Sequence, residues 1–277
     1  MDKNEITIVI NAFKSQKKLL KCLESIEPQF KVILIENSED EYFKKKIEKK
    51  FVNLECVVTG ENLGYAKGNN LGLSKVKSKY ALILNPDAIL AKDAIKNFFI
   101  TADLIKNFAI IGPAIQESHN VKKIKKIIEV DNVKGFAMFL NLEEFKDIGF
   151  FDSNFFIYLE EIDLCKRLKK NNKKIFLDPS ILINHQGGSS HNEKYNYEME
   201  LSRNWHWMWS IFYYNKKYRG FVFAFFLVLP YLFSSFSKIV FYSLVFNKNK
   251  RSIYSQRLSG LFNSITGKES WYRPKVY

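Results

Sequence analysis

Three carboxylates, Glu160, Glu161 and Asp163, fall within four positions of the stretch FFIYLEEIDLCKR, residues 155–167, directly after an almost wholly apolar and aromatic run. Like charges packed this closely repel, and repulsion disfavours ionisation, as acid–base chemistry requires. The same residues also suit the first turn of a surface helix, where acids complement the macrodipole and Asp163 can pair with Arg167 one turn on. A second candidate is Asp87 in LNPDA, which follows an apolar run and precedes a helical one, with Pro86 restraining the turn. A carboxylate there suits a divalent metal held against a diphosphate, because Mg²⁺ takes one or two protein carboxylates and leaves the rest to phosphate oxygens. A third is TGENLGYAKGNN, where Asn62, Gly64, Gly68 and Asn70 lie in a loop entering a helix. Glycines there allow close backbone approach, and amide groups can meet an anion. Each stretch taken alone is also ordinary turn chemistry. The GxxxxGK[ST] and GxGxxG spacings are absent, which disfavours phosphoryl transfer and dinucleotide binding.

The elements that must position these residues follow from hydrophobic period. Short runs rich in branched residues at 6–10, 32–36, 54–58, 80–84 and 109–112 predict buried strands. Helical patterns at 16–26, 39–51, 67–76 and 92–106 lie between them. Strand and helix alternating at this spacing predict a mostly parallel sheet with helices on both faces, and ligands at the carboxyl ends of its strands. ENSED (36–40), TGENLGYAKGNN (59–70) and NPDA (85–88) all fall on that edge. Further on, 116–131 reads as a basic, irregular loop, 133–140 as a strand, 142–149 as a short helix, and 173–185 as two strands around an Asp-Pro turn. The character changes near residue 195. We expect one domain over 1–195 and a helical region over 196–277.

Composition bounds the partners. The 277 residues are 47% hydrophobic and 16% aromatic, which excludes a disordered chain. The formal charge of +14 calls for an anionic partner: nucleic acid, anionic membrane or phosphorylated substrate. Cys22, Cys56 and Cys165 are widely spaced, so neither a disulfide framework nor a zinc site is suggested, and a reducing cytosol fits. The opening MDKNEITIVI enters a strand-like run at once, and no signal peptide is expected.

Residues 221–246 are nearly uncharged over about the length that spans a bilayer. Trp and Tyr precede the run, Lys216, Lys217 and Arg219 flank one end, and Lys248, Lys250 and Arg251 flank the other. Positive flanks at both ends disfavour a simple crossing. With Pro230 as a break and Lys238 in the second half, we expect a re-entrant or in-plane amphipathic pair with both ends cytoplasmic.

The ordered set NSED, ENLGYAKGNN, LNPD, VKGFAMF, GFFDSNFFIYLEEIDLCKR and INHQGGSS, over roughly residues 5–190, resembles the family 2 glycosyltransferases, especially the rhamnosyltransferase-like branch that builds bacterial cell-surface polysaccharide. The resemblance implies an α/β GT-A fold, Rossmann-like, and a nucleotide-sugar donor linked to dTDP or UDP. By that resemblance Glu36, where the family usually has Asp, accepts a hydrogen bond from the pyrimidine ring. Asn37 and the loop from Asn62 through Gly64 to Asn70 shape the nucleoside pocket, Lys67 lies near phosphate, and Asn85 and Gly135 complete the donor set. Asp87 is the acid of a reduced DxD-type motif, Asn85-Pro86-Asp87, and binds Mg²⁺ or Mn²⁺. His185 falls where related transferases place a histidine near metal and diphosphate, and Gly187, Gly188 and Ser189 after it favour an exposed loop.

The resemblance also assigns the acidic stretch. Glu161, where the family usually has Asp, takes the proton from the attacking hydroxyl, with Glu160 and Asp163 as charged neighbours that raise its pKa and Arg167 restraining Asp163. One base and one displacement at the anomeric carbon mean inversion. The implied acceptor is a lipid-linked or surface polysaccharide at the cytoplasmic face of the membrane, and no nucleic acid is expected. Two alternatives stay open: a galactofuranosyl or hexosaminyl transferase using a UDP-sugar, and a non-catalytic basic adaptor for membrane or nucleic acid. An adaptor has no need of Asp87, Glu161 and His185 converging.

Overall fold

The computed structural model describes residues 2–113, 126–185 and 191–276. Part of the expected basic loop, and Gly187, Gly188 and Ser189, lie outside the described residues. The chain divides into two compact units. The first comprises 1–151 and 161–192, and the second 152–160 and 193–277.

In chain order the first unit carries β1 (Ile6–Ala12), α1 (Gln16–Glu24), β2 (Lys31–Glu36), α2 (Glu41–Lys50), β3 (Leu54–Val58), α3 (Gly64–Leu73), β4 (Tyr80–Leu84), β5 (Ala88–Leu90), α4 (Ala94–Ile105), β6 (Ile110–Pro113), β7 (Ile128–Glu129), β8 (Ala137–Asn141), α5 (Glu160–Lys170, whose first residue belongs to the second unit), β9 (Ile175–Asp178) and β10 (Ile183–His185). Among the described residues eight strands form one sheet in the order β3-β2-β1-β4-β8-β6-β9-β7. The first four are parallel, and β8 runs antiparallel between β4 and β6. The central strands read as unbroken apolar runs because both their faces are buried, as in β4, where every residue is buried. The helices pack by one face: α1 buries Leu19, Cys22 and Leu23 at three-to-four spacing. Asp40 caps α2 by accepting the Phe43 N–H at 2.8 Å.

The helix expected over 67–76 begins three residues earlier, at Gly64. Gly64 has φ +80°, a left-handed conformation that L side chains avoid, so this glycine is part of the helix entry. A Cβ on Gly72 would meet Val9 at 2.4 Å, and one on Gly68 would meet Asn11 at the same distance. These two glycines let α3 lie close on β1, which brings the loop before α3 to the carboxyl end of the sheet. The three cysteines are buried and unbridged.

The second unit is helical: α6 (Asn196–Arg219), α7 (Phe221–Leu244) and α8 (Lys248–Ile265). Gly220 at φ +82° separates α6 from α7. A Cβ on Gly260 would lie 2.2 Å from the Trp205 carbonyl, so α6 and α8 touch backbone to backbone there. Met208 and Phe212 of α6 form a core with Ala224 and Val228 of α7 and Leu261 of α8. The break expected at Pro230 does not occur. Pro230 sits inside one continuous helix of 24 residues, because a proline removes a single hydrogen bond and the turns before it are held by that core. By length and composition only, α7 is long and apolar enough to cross a membrane, and 17% of its most apolar stretch is buried.

Candidate active site

β5 and β10 pair antiparallel with Ala88 opposite His185, which carries Asp87 to the imidazole. The His185 Nε2 lies 3.3 Å from Asp87 Oδ1, and the carboxylate is almost wholly buried. That Oδ1 makes no hydrogen bond. An ionic oxygen buried without one is costly, and a cation beside it relieves the cost. The pair therefore fits a divalent metal ion. Among the described residues no group of three or more His, Cys, Asp and Glu could hold a metal ion.

Two consecutive residues link this pair to the acidic helix. The Phe136 ring stacks on His185, with centroids 4.4 Å apart and planes 10° apart. The Phe136 carbonyl accepts the Asn85 N–H at 2.8 Å. Its neighbour Gly135 faces Glu161: a Cβ added there would stand 3.7 Å from Glu161 Cβ and 3.1 Å from the Tyr65 hydroxyl. Tyr65 donates its hydroxyl hydrogen to the Gly135 carbonyl. Gly135 and Phe136, consecutive before β8, thus neighbour Glu161 on one hand and the Asp87–His185 pair on the other.

The opposite side of the site is built at the ends of β1 and β2. Glu36 is 4% exposed and accepts the Ser38 hydroxyl at 2.6 Å. Burial pushes its carboxyl up to about 7, Asp40 adding to the rise while the Ser38 hydrogen bond and Lys14 oppose it. The Asn37 Oδ1 accepts the Leu63 N–H at 2.8 Å, and its Nδ2 donates to the Gly64 carbonyl at 3.0 Å and to Asn62. Asn62 in turn accepts the Gly64 N–H at 3.0 Å. Asn37 and Asn62 hold the entry to α3 as one network. Asn85 is half-buried and Lys67 is exposed on α3.

Several assignments change. The Asn70 side chain donates to the Phe151 carbonyl at 2.8 Å and accepts the Phe151 N–H at 3.0 Å, so its amide clamps backbone. The clearance at Gly68 is filled by Asn11 and not by a ligand. Asp163 has no exposure and bonds the Arg167 Nε at 2.8 Å. That guanidinium also holds the carbonyls of Ile148, Gly149 and Phe150. The ion pair is a satisfied tie from α5 to the preceding turn, and Asp163 is committed to it. Glu160, expected as a charged neighbour of the base, is 4% exposed and folds with the second unit. This leaves Glu161, half-buried on the first turn of α5. Burial raises its carboxyl pKa, with its own N–H, that of Ile162 and the charge of Lys134 opposing. Repulsion from Asp163 is not the cause, since Arg167 neutralises it.

Two residues were missed. Tyr65 stands inside the GYAKGNN stretch, and Asn11 is the polar residue near the carboxyl end of β1, at the edge where ligands are expected. Its Nδ2 donates to the Gly64 carbonyl at 2.9 Å.

The parallel sheet with an antiparallel insert, helices on both faces and an Asp–His pair beyond β4 define a fold of the GT-A type. Residues 7–165, more than half of the chain, match the family model described as glycosyl transferase family 2, and the chain belongs to that family. It is 24% identical over 199 residues to the low-salt glycan biosynthesis hexosyltransferase Agl10 of Haloferax volcanii, covering 62% of this chain and 64% of that protein. It is 26% identical over 192 residues to the rhamnosyltransferase WbbL of Escherichia coli K12, covering 55% and 71%. The chain thus spans a little under two thirds of the archaeal relative's length. The mannosyltransferase PcManGT of Pyrobaculum calidifontis, solved with GDP-Man and Mn²⁺, superposes with a TM-score of 0.63 at 11% identity, over 96% of this chain and 88% of its own. Staphylococcus aureus TarS 1-349 in complex with UDP gives a TM-score of 0.54 at 11% identity, over 99% of this chain and 94% of its own. Likeness at such identity is likeness of fold.

Proposed function

We propose that the protein is an inverting glycosyltransferase that moves a hexose of the rhamnose type from a dTDP- or UDP-linked donor to a lipid-linked or surface-polysaccharide acceptor at the cytoplasmic face of the membrane. The observation that carries the reading is the neighbourhood that Gly135 and Phe136 form with Glu161 and the Asp87–His185 pair. An adaptor that merely kept the fold has no use for it. The rhamnosyltransferase relative supports the sugar, and the neighbour solved with Mn²⁺ supports the metal.

Asp87 and His185 would hold Mg²⁺ or Mn²⁺, which when bound stabilises the charge of a departing diphosphate. The Asn37–Asn62 network and Glu36 receive the nucleoside. Glu161 accepts the proton of the acceptor hydroxyl while its oxygen bonds the anomeric carbon and the bond to the diphosphate breaks. No covalent sugar–enzyme intermediate is needed, so configuration inverts. The exposed aromatic face of α7, between basic clusters, holds the protein on an anionic bilayer, with both ends of the helix on the cytoplasmic side.

The test is a panel of dTDP-, UDP- and GDP-sugars with purified protein, Mn²⁺ or EDTA, and vesicle-borne lipid-linked saccharides. Metal-dependent transfer from one donor with inverted anomeric configuration supports the reading. Polyanion binding with steep salt dependence and no transfer from any donor sinks it.

A further inference from the structure

Lys238 is the single charged residue among the 24 of α7. Its Nζ stands 4.8 Å from the centroid of the Tyr254 ring on α8, and the guanidinium of Arg257, one turn further along α8, stands 5.9 Å from the same centroid. Tyr242 stacks on Tyr254 with centroids 5.6 Å apart and planes 11° apart, which steadies the ring that both cations share. Arg257 donates from Nη1 to Asn204 Oδ1 at 3.2 Å, while its Nε is buried and makes no hydrogen bond. No Asp or Glu occurs between Glu200 and Glu269, a stretch that contains all of α7 and α8. Among the described residues neither Lys238 nor Arg257 forms an ion pair. Two like charges beside one ring repel each other, and the ring's quadrupole attracts each only modestly. An anion between them is attracted by both, and the planar guanidinium matches the oxygens of a phosphate.

We propose that Lys238 and Arg257, on either side of the α7–α8 seam, bind the phosphate monoester of an anionic membrane lipid. The proposal deepens the membrane reading of α7 and rests on it. Tyr231, Ser235, Lys238 and Tyr242 recur at three- to four-residue spacing and make a polar stripe along α7. Phe241 and Val245, both exposed, follow Lys238 one and two turns on and continue its side of the helix in hydrocarbon. A ligand that offers phosphate to the cations and an acyl chain to these side chains satisfies both, whereas a free anion leaves the apolar part uncovered. A monoester carries a charge of about −1.5 to −2 at neutral pH and three acceptor oxygens, so one group can engage Lys238 and the unused guanidinium N–H together. A phosphodiester headgroup has one charge and fewer free oxygens for the same two partners.

The test uses the full chain and phosphatidylcholine vesicles containing either phosphatidic acid, a monoester, or phosphatidylserine, a diester, matched in surface charge. Lys238→Gln with Arg257→Gln should weaken binding to the phosphatidic acid vesicles at least about tenfold more than binding to the phosphatidylserine vesicles. Lys248→Gln with Lys250→Gln removes the same charge from the flank of α7 and should weaken both alike. Lys238 is exposed, so Lys238→Gln alone should lose part of the selectivity with helix content unchanged by circular dichroism, which keeps the test valid if the double variant misfolds. Equal losses on the two kinds of vesicle, in either the single or the double variant, overturn the site. Calorimetry with soluble short-chain phosphatidic acid examines the site without a bilayer: wild type should bind it, Lys238→Gln should bind it several-fold more weakly, and inorganic phosphate should bind at least about tenfold more weakly than the short-chain lipid. Equal affinity for inorganic phosphate overturns the lipid as occupant. A wild-type chain that binds no anionic vesicle overturns the membrane reading of α7, and the short-chain titration still decides the phosphate site.

Discussion

Asp87 and His185 stand with Oδ1 and Nε2 3.3 Å apart because the short strands β5 and β10 pair antiparallel and place His185 opposite Ala88. Those strands form a sheet separate from the eight-stranded one, and Asp87 directly precedes β5. The geometry of the Asp87–His185 pair is therefore fixed by three residue pairs and by the stacking of Phe136 on the imidazole.

Asp87→Asn keeps the shape and removes the charge that a cation requires. It should abolish transfer and weaken Mn²⁺-dependent binding of UDP and dTDP, while thermal unfolding without metal stays within a few degrees of wild type. Titration calorimetry with and without Mn²⁺ checks this, and unchanged nucleotide affinity in metal would place the cation elsewhere.

Glu161→Gln keeps the side chain's size but cannot take a proton, so kcat should fall by about 10² or more with donor KM little changed. Burial raises the Glu161 pKa, and the base must be ionised to act. The acid limb of the wild-type pH–rate profile should then lie above the ordinary carboxylate range and disappear in the variant. Glu161→Asp restores the residue usual in the family but withdraws the carboxylate by about one bond length, and its activity should fall between the two. A residual limb at the same pH in Glu161→Gln would move the role to another group.

Much of the first unit was legible because buried parallel strands announce themselves: 54–58 and 80–84 are β3 and β4 residue for residue. The start of α3 was not, since Gly64 reads as loop and its left-handed entry depends on Asn37 reaching it from the end of β2, beside the local bond to Asn62. The insertion of β8 antiparallel beside β4 is likewise invisible in an apolar run, which carries no direction. Among the site residues that the family resemblance implied, Asp87 and His185 came to stand 3.3 Å apart and Glu161 came to face Gly135. Gly68 and Asn70 did not, because a glycine or an amide serves packing as readily as ligand binding and only the neighbours decide which. The allegiance of 152–160 to the helical unit rests on Phe155, Phe156 and Leu159 finding partners on α6. No local pattern encodes that.

Gly72 tests the packing that positions the α3 entry. A Cβ there would lie 2.4 Å from Val9 Cγ1 in the middle of β1. Gly72→Ala should therefore cost about 1–3 kcal/mol of stability, read as a lower urea midpoint. An unchanged midpoint would mean that α3 can slide without cost.

The face of α7 away from its core presents Phe226, Phe233 and Phe236 to solvent. At 1.5 Å per residue the helix separates its two basic flanks by about 36 Å. Phe226→Asp with Phe233→Asp should abolish co-sedimentation with vesicles containing anionic lipid while leaving helix content by circular dichroism unchanged. Raised salt should weaken wild-type binding through the lysine and arginine clusters. Full retention of the double variant on vesicles would assign this face to another partner.

Glu36 offers a stability test independent of activity. Burial raises its carboxyl from the ordinary value to about 7 in the folded chain. Below the unfolded pKa both states are protonated and folding pays no penalty for this group. As pH rises towards 7 the unfolded state ionises first, so stability is lost across that window and the loss levels off above it. The full difference is on the order of 3 kcal/mol. Glu36→Gln removes the titration and keeps a group that can hydrogen-bond Ser38. The variant should match wild type within error near pH 3.5 and exceed it at pH 8.5, with urea midpoints diverging between. A constant offset across the range would show that the carboxyl titrates alike in both states, and would return Glu36 to an ordinary carboxylate at the end of β2.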